Sequence, residues 1–349
     1  MTNVRSLLEE GPLEASAPCR VDAGGTWDIK ALALPMEKML PTTVNMGLTL
    51  RTSVVLKPFP GNSVKISSKG FSQSEMFSAD QMPFTSPFGI FFSAISYFGF
   101  SGLEVVIDSE APVKSALGGS STALVALIKA LSKAGEKLGR KGLSRKQILY
   151  LAYHLEDGVS GGNCGLQDQA AAVYGGVSQW IWRHGDSSGL FRRVLLLNKE
   201  GQGQLSKRIL VAYSGKNHVA ATTNRKWVHE FLSGQTRSGW IKANDLVHRF
   251  ADALKERDWS SAASLLREEV ALRKEITPEA LTPLTDRLVT EAEKIGCGAR
   301  FAGAGAGGSV WALGKVDAIE SLRTNWEIAL KSMKGGEILR CRIDGTGCR

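Results

Sequence analysis

Pro112-Val113-Lys114-Ser115-Ala116-Leu117-Gly118-Gly119-Ser120-Ser121-Thr122-Ala123 is the stretch on which the reading of this chain turns. It is a glycine-containing loop that runs straight into a strongly periodic segment. Over 122–137, Leu124, Leu127, Ile128 and Leu131 recur at helical spacing. A helix N-terminus exposes unpaired N–H groups and partial positive charge, which suits a phosphate. Glycines let the backbone approach such an anion closely. Ser120 and Ser121 add hydroxyls able to hydrogen-bond phosphate or to ligate Mg²⁺. A plain glycine turn followed by a serine cap would read the same way, so this stretch alone leaves both open. No lysine follows the glycines, which excludes a Walker A loop, and the spacing is not a dinucleotide fingerprint.

Downstream, Ser144 is a candidate N-cap for a second helix with Ile148, Leu149, Leu151, Ala152 and Leu155 on its apolar face. It ends near Gly158. A loop with Gly161, Gly162 and Gly165 leads to a short helix over 167–173. Glu156 and Asp168 flank that loop. Two acids beside a phosphate site suggest one Mg²⁺ ligand and one group that orients or deprotonates a hydroxyl, although each alone is more often a solvated surface acid.

Upstream, Arg20-Val21-Asp22-Ala23-Gly24-Gly25-Thr26-Trp27-Asp28 sets carboxylates beside glycines. A carboxylate accepts bidentate hydrogen bonds and glycine lets a ring approach the backbone, a combination suited to sugar hydroxyls. Trp27 is placed to stack on a sugar face. A strand followed by a polar turn is the plainer reading. Alternating Val44, Met46, Leu48 and Leu50, then Val54 and Leu56, predict strands in an antiparallel pair, with 58–62 a turn and 64–66 the return strand. A buried helix is predicted over 87–100 and a short strand over 103–107.

Gly303-Ala304-Gly305-Ala306-Gly307-Gly308 formally matches G-x-G-x-x-G. The dinucleotide reading requires a following helix, and Ser309-Val310-Trp311-Ala312-Leu313 is strand-like. A glycine loop between two strands instead suits closure over a nucleotide or substrate; a tight hairpin would need fewer glycines.

The 349 residues suggest two domains at roughly 100–200 residues each. Residues 1–17 read as a flexible leader, and the polar stretch 185–203 places a boundary near 195. Helices are predicted over 225–232, 240–255, 259–274, 283–295 and 316–333. Strands and helices mixed without strict alternation make the class α+β. The five cysteines are scattered and include no C-x-x-C pair, which argues against a disulfide framework and a zinc knuckle. Reduced thiols and the lack of a signal peptide point to the cytoplasm. The longest apolar run, 88–100, is too short to cross a bilayer. The net charge of +9 is spread along the chain without basic tracts, so neither nucleic acid nor membrane is an expected partner. A polyanionic small substrate fits that charge better. Oligomeric state is not legible.

In this order the four stretches resemble the GHMP kinase superfamily of galactokinase, homoserine, mevalonate and phosphomevalonate kinases. Arg20 to Asp28 is similar to its first motif. Pro112 to Ala123 is similar to P-x-x-x-G-L-G-S-S-A, with Ala116 where the family prefers glycine, Gly119 following Leu117-Gly118, and Thr122 before Ala123. Gly303 to Gly308 resembles the third motif. Gly165 to Gln169, with Tyr174-Gly175-Gly176, resembles a segment of the sugar kinases. The nearest branch is that of L-fucose and heptose 7-phosphate kinases. Galactokinases carry Gly-Glu-His-x-Asp in the first motif, from which Ala23 to Asp28 departs.

The resemblance implies a two-domain fold: a ribosomal protein S5 domain 2-like domain over 18–195 and a ferredoxin-like domain over 196–349. It implies ATP and Mg²⁺, with transfer of the γ-phosphoryl group to a sugar hydroxyl, the anomeric one in the nearest relatives. Asp168 then resembles the acid on the acceptor hydroxyl and Arg20 the cation beside it. Glu156 and Ser121 resemble the Mg²⁺ ligands. Pro112, Lys114, Ser115, Leu117, Gly118, Gly119, Ser120, Ser121 and Thr122 resemble the nucleotide site. Asp22, Gly24, Gly25, Asp28, Gly303, Gly305 and Gly307 resemble substrate contacts. The alternatives on the same fold are a kinase for mevalonate or homoserine, and a non-catalytic sugar sensor.

Overall fold

The computed structural model describes residues 1–24, 27–70, 74–217 and 220–349. Its central element is the strand Thr42–Pro58, 17 residues long. Val44, Met46, Leu48, Val54 and Leu56 are all buried. The predicted strand pair over 44–56 is therefore one strand. It runs antiparallel to Leu13–Ala23, Leu103–Ser109 and Val177–Trp182. The predicted return strand, Ser63–Ser68, does not pair back onto it. It lies parallel to Leu103–Ser109 and antiparallel to Glu75–Ser78. With Phe191–Leu195 on the far edge, the first sheet has seven strands. The helix Gly119–Lys137 covers it, packed on Leu13–Ala23 and Thr42–Pro58, with Leu124, Leu127, Ile128 and Leu131 fully buried.

The register of Leu13–Ala23 shifts between Pro18 and Arg20. An irregularity of this kind turns the strand over. Ala15 and Ala17 pack in the core under the helix, whereas Cys19, Val21 and Ala23 pack in a second core. Arg20 and Asp22 are thereby aimed away from that second core.

The second sheet is four-stranded and antiparallel, in the order Gly298–Phe301, Ser309–Leu313, Ile209–Ser214, Gly336–Leu339. Its strands and helices follow the β-α-β-β-α-β pattern of a ferredoxin-like unit. The α+β class is as expected. The second core joins the two halves: Val21, Val44 and Met46 share it with Val211, Leu265 and Trp311. A buried apolar junction of this kind restrains relative domain motion.

Two expectations about domains need correction. Residues 1–17 are not a flexible leader. Thr2–Asn3 pairs with Phe100–Ser101, Arg5–Glu9 is helical, and Leu13 begins the long sheet strand. Val4 and Leu8 anchor the segment in the core. At the other end, the last residues do not stay with the second half. Ile343 bridges Leu48, Asp344 N–H donates to the Gly47 carbonyl, and Ser16 and Arg349 exchange backbone hydrogen bonds. The buried Arg51 guanidinium holds this tail, pairing with Asp344 and donating to the carbonyls of Ser16 (3.0 Å) and Gly347 (2.8 Å). Among the described residues, no helix is long and apolar enough to cross a membrane.

Candidate functional site

The loop before the helix Gly119–Lys137 has an unusual backbone. Lys114, Ala116 and Gly118 all have positive φ, and Gly118 is the N-cap residue with no side-chain cap. No serine caps this helix. Ser121 Oγ instead donates to Glu156 Oε1 at 3.0 Å, and Ser120 is exposed at the rim. The first-turn N–H groups are left without a side-chain acceptor and border a cavity of about 520 Å³. An anion could settle there.

Arg20 fixes this loop. Its Nη1 donates to the Ala116 carbonyl at 2.6 Å, and its own N–H donates to the Leu117 carbonyl at 3.1 Å. The same guanidinium holds Asp168 Oδ1 through Nε and Nη2, both at 2.7 Å. Asp168 sits in the first turn of Gln167–Tyr174. A Cβ placed on Gly118 would lie 3.3 Å from Asp168 Oδ2, so the acid borders the loop directly. With φ of +76° at Gly118 as well, only glycine is comfortable there.

Asp28 reaches the cavity from the first-motif segment. Its Oδ2 accepts the Gln167 N–H at 2.9 Å, and its Oδ1 is buried with no hydrogen-bond partner among the described residues. Burial pushes this carboxyl up to about 7, and the neighbouring Asp168 adds to the effect. Glu156 is also pushed up to about 7, mainly by burial. Its Oε2 accepts from Gln169 Nε2 at 2.6 Å.

Glu156 and Ser121 offer two hard oxygen donors side by side. No group of three or more His, Cys, Asp or Glu side chains gathers into a metal site among the described residues. Two protein oxygens beside an uncapped helix N-terminus suit Mg²⁺, which keeps several waters and takes further oxygens from a nucleotide. A cation would also relieve the burial of the Glu156 carboxylate.

The cavity is lined by Arg20, Asp28, Pro112, Lys114, Ser115, Gly118, Gly119, Ser120, Ser121, Glu156, Asp168 and Gly303, all singled out in the sequence. Leu117 and Thr122 do not line it. Leu117 is core, and Thr122 Oγ1 donates to the Gly118 carbonyl at 2.8 Å. Asp22 is not a substrate contact: it is fully buried, accepting the Gly303 N–H at 2.7 Å and Arg300 Nη1 at 2.9 Å. Gly24 faces Val247 and the Thr42 carbonyl, Gly305 the Ala280 carbonyl, and Gly307 the carbonyls of Lys216 and Asn217. Of the third glycine loop, only Gly303 and Ala304 reach the cavity. The loop serves mainly to back the loop over 114–118. A Cβ on Gly308, where φ is +70°, would meet the Ser115 carbonyl at 2.8 Å. Gly25 lies outside the described residues, as do Thr26 and His218. Trp27 is 1% exposed and packs edge-on against Phe231 and Trp240, so it does not stack in the cavity.

The sequence reading missed the apolar wall of Pro87, Phe88, Phe91 and Ile107. Pro87 to Phe100 reads as apolar on every side, and periodicity cannot say which face of such a helix meets a cavity. It also missed Arg225, which lines the cavity from the helix Ala220–Leu232.

Residues 89–176 match the family "GHMP kinases N terminal domain" and residues 250–331 match "GHMP kinases C terminal". No curated protein sequence matches the chain. Among solved structures, Methanococcus jannaschii mevalonate kinase is 19% identical with a TM-score of 0.73, covering 96% of this chain and 99% of that one. Lactococcus lactis galactokinase complexed with galactose is 18% identical, TM-score 0.73, with 99% and 98% covered. Streptococcus pneumoniae phosphomevalonate kinase, in complex with phosphomevalonate and AMPPNP, is 12% identical, TM-score 0.74, with 96% and 100% covered. At these identities the likeness is one of fold.

Proposed function

The chain belongs to the GHMP kinase family, whose two domains it carries in order, and on that premise we propose that it transfers the γ-phosphoryl group of ATP to a hydroxyl of a small sugar. The observation that carries this reading is Asp168. Its carboxylate borders an uncapped helix N-terminus and is held by the same arginine that braces the phosphate loop.

In this reading the first-turn N–H groups of Gly119–Lys137 hold the terminal phosphates, with Lys114 adding charge. The apolar wall of Phe88, Phe91 and Ile107 takes the base. Glu156 and Ser121 are the residues that would hold Mg²⁺, whose chemistry is to neutralise charge on the β- and γ-phosphate oxygens. Asp28 accepts an acceptor hydroxyl through its free Oδ1. Asp168 orients the reacting hydroxyl. As that oxygen bonds to the γ-phosphorus, the bond to the bridging β–γ oxygen breaks, ADP leaves, and the hydroxyl proton passes to Asp168. Placement and charge neutralisation supply most of the rate.

The acceptor end favours a polyol over an acid. Asp28, Asp168 and Glu156 all line the cavity, and Arg20 is committed to Asp168. A polyol can donate hydroxyl hydrogens to Asp28 and Asp168, and Lys114 and Arg225, which line the same cavity, are the cations that would meet a phosphate carried by the sugar. The anomeric hydroxyl is the expected nucleophile by resemblance to the L-fucose and heptose 7-phosphate kinases.

A coupled ADP-release assay with Mg-ATP tests the proposal, using L-fucose, galactose, glucuronate, heptose 7-phosphate, mevalonate and homoserine as acceptors. Turnover with at least one sugar and none with mevalonate or homoserine is expected. Turnover with mevalonate or homoserine alone would replace the sugar reading. Sugar-dependent thermal stabilisation without ADP release from any acceptor would point to a sensor.

A further inference from the structure

Behind the catalytic pocket runs a row of six charged side chains of alternating sign. Arg273 lies 3.5 Å from Glu269. Glu269 accepts from Arg300 Nε at 2.9 Å and from its Nη2 at 3.4 Å. Arg300 Nη1 donates to Asp22 Oδ2 at 2.9 Å. Asp22 Oδ1 lies 3.4 Å from Arg20 Nη1, and Arg20 holds Asp168 at 2.7 Å.

The row starts on the helix Trp259–Ile276, passes through the strand Gly298–Phe301 and the strand Leu13–Ala23, and ends on Gln167–Tyr174. It therefore crosses from the ferredoxin-like half to the catalytic acid. Arg20, Asp22, Glu269, Arg273 and Arg300 are each at most 3% exposed. Asp168, its side chain 25% exposed, is the one end that meets the pocket.

Three cations and three anions balance in a low-dielectric interior, where the position of each charge depends on its neighbours. Arg20 has two claims on its guanidinium, Asp22 and Asp168, besides the Ala116 carbonyl. How tightly it holds Asp168 depends on how fully Asp22 is satisfied by Arg300. Arg300 in turn is shared with Glu269. Asp22 also takes the Gly303 N–H, so the same row fixes the glycine loop that backs Ser115.

We propose that Glu269 and Arg300, which lie outside the pocket, are positioning residues for the phosphoryl transfer: acting through Asp22 and Arg20, they set the placement of the Asp168 carboxylate. The ferredoxin-like half thereby acts on the catalytic acid from behind, besides lining the pocket with Arg225, Gly303 and Ala304. Removing the Glu269 charge leaves Arg300 to draw on Asp22 alone. Asp22 then holds Arg20 less firmly, and Arg20 shifts toward Asp168 and displaces its carboxylate.

This inference rests on the kinase reading, and the test separates the two. Wild type, Glu269→Gln and Glu269→Asp are assayed with Mg-ATP and the best acceptor. Rates are normalised to sites that bind AMPPNP, so a misfolded fraction does not count. Glu269→Gln is expected to lower kcat at least tenfold with the KM for ATP within about twofold of wild type, and Glu269→Asp to recover most of the loss. A kcat per nucleotide-binding site within twofold of wild type for Glu269→Gln overturns the proposal.

A second measurement needs no turnover. Thermal unfolding is compared for Glu269→Gln, Asp168→Asn and the double variant. The two side chains do not touch, so the double variant is expected to lose less than the sum of the single losses only if the row couples them. Additive losses overturn the proposal even if the wild type turns out to phosphorylate nothing.

Discussion

Raising the pH should weaken the free protein through Asp28. Burial lifts this carboxyl from an ordinary 3.8 to about 7, with Asp168 and Asp22 pushing the same way. Between those two values the native state keeps a proton that the unfolded chain has already released. The contribution of Asp28 to stability is therefore greatest below about 4, is lost progressively as the pH rises toward about 7, and levels off above it. At about 1.4 kcal/mol per tenfold change in proton affinity, a displacement of that size is worth about 4 kcal/mol. Asp28→Asn removes the titrating group while keeping an oxygen to accept the Gln167 N–H. Glu156 titrates in both proteins and cancels in the comparison. The assay is thermal unfolding of wild type and Asp28→Asn without nucleotide, from about pH 4.5 to 8.5. At about 2–4 °C per kcal/mol for a domain of this size, the variant should gain on wild type by an amount on the order of 10 °C across the range. Two melting curves that stay parallel to within a degree would refute the reasoning, because they would mean that Asp28 is solvated or paired in a way this cavity does not allow.

Asp168→Asn should lower kcat by about 10²–10⁴-fold, the usual worth of a positioned proton acceptor, while AMPPNP binding measured by calorimetry persists. Gly118→Ala forces a Cβ into a left-handed position 3.3 Å from Asp168 Oδ2; it should cost about 1 kcal/mol of stability and a larger share of kcat, read by parallel melting and turnover measurements. Because burial holds Glu156 near 7, Mg²⁺-dependent nucleotide affinity should fall as the pH drops through that value, and Glu156→Gln should flatten the dependence in a titration of Mg²⁺ at fixed AMPPNP. Lys114→Met should raise the KM for ATP severalfold with kcat little changed, seen in initial rates at saturating acceptor.

The glycine loop and the helix after it were legible because their evidence is local: glycines, hydroxyls and a periodic helix lie next to one another from Gly118 to Leu131. The N-cap of the following helix, Ser144, was legible for the same reason; its reciprocal bond with Gln147 is seen only in the structure. Arg20, Asp28, Glu156 and Asp168 were legible through the spacing of family-like segments. What failed depended on which way a residue points. Asp22 and Arg20 share a face of one strand, yet one is committed to Arg300 and the other braces the pocket. Trp27 stands beside Asp28 but turns into the aromatic core. The strand Val177–Trp182 is buried at all six positions, so it lacks the alternation that betrays a half-exposed strand. The row from Arg273 to Asp168 joins positions far apart in the chain, and no window of sequence holds more than two of its members.

The return of the last residues to the first sheet bears on how the protein is made. A chain synthesised through residue 195 has all seven strands of the first sheet, yet Arg51 is still without Asp344 and the Gly347 carbonyl, and Ser16 still lacks its backbone partner at Arg349. Folding in order of synthesis must therefore leave that half unsealed while the other half is translated. The first sheet is sealed only when residues 343–349 pack back onto it.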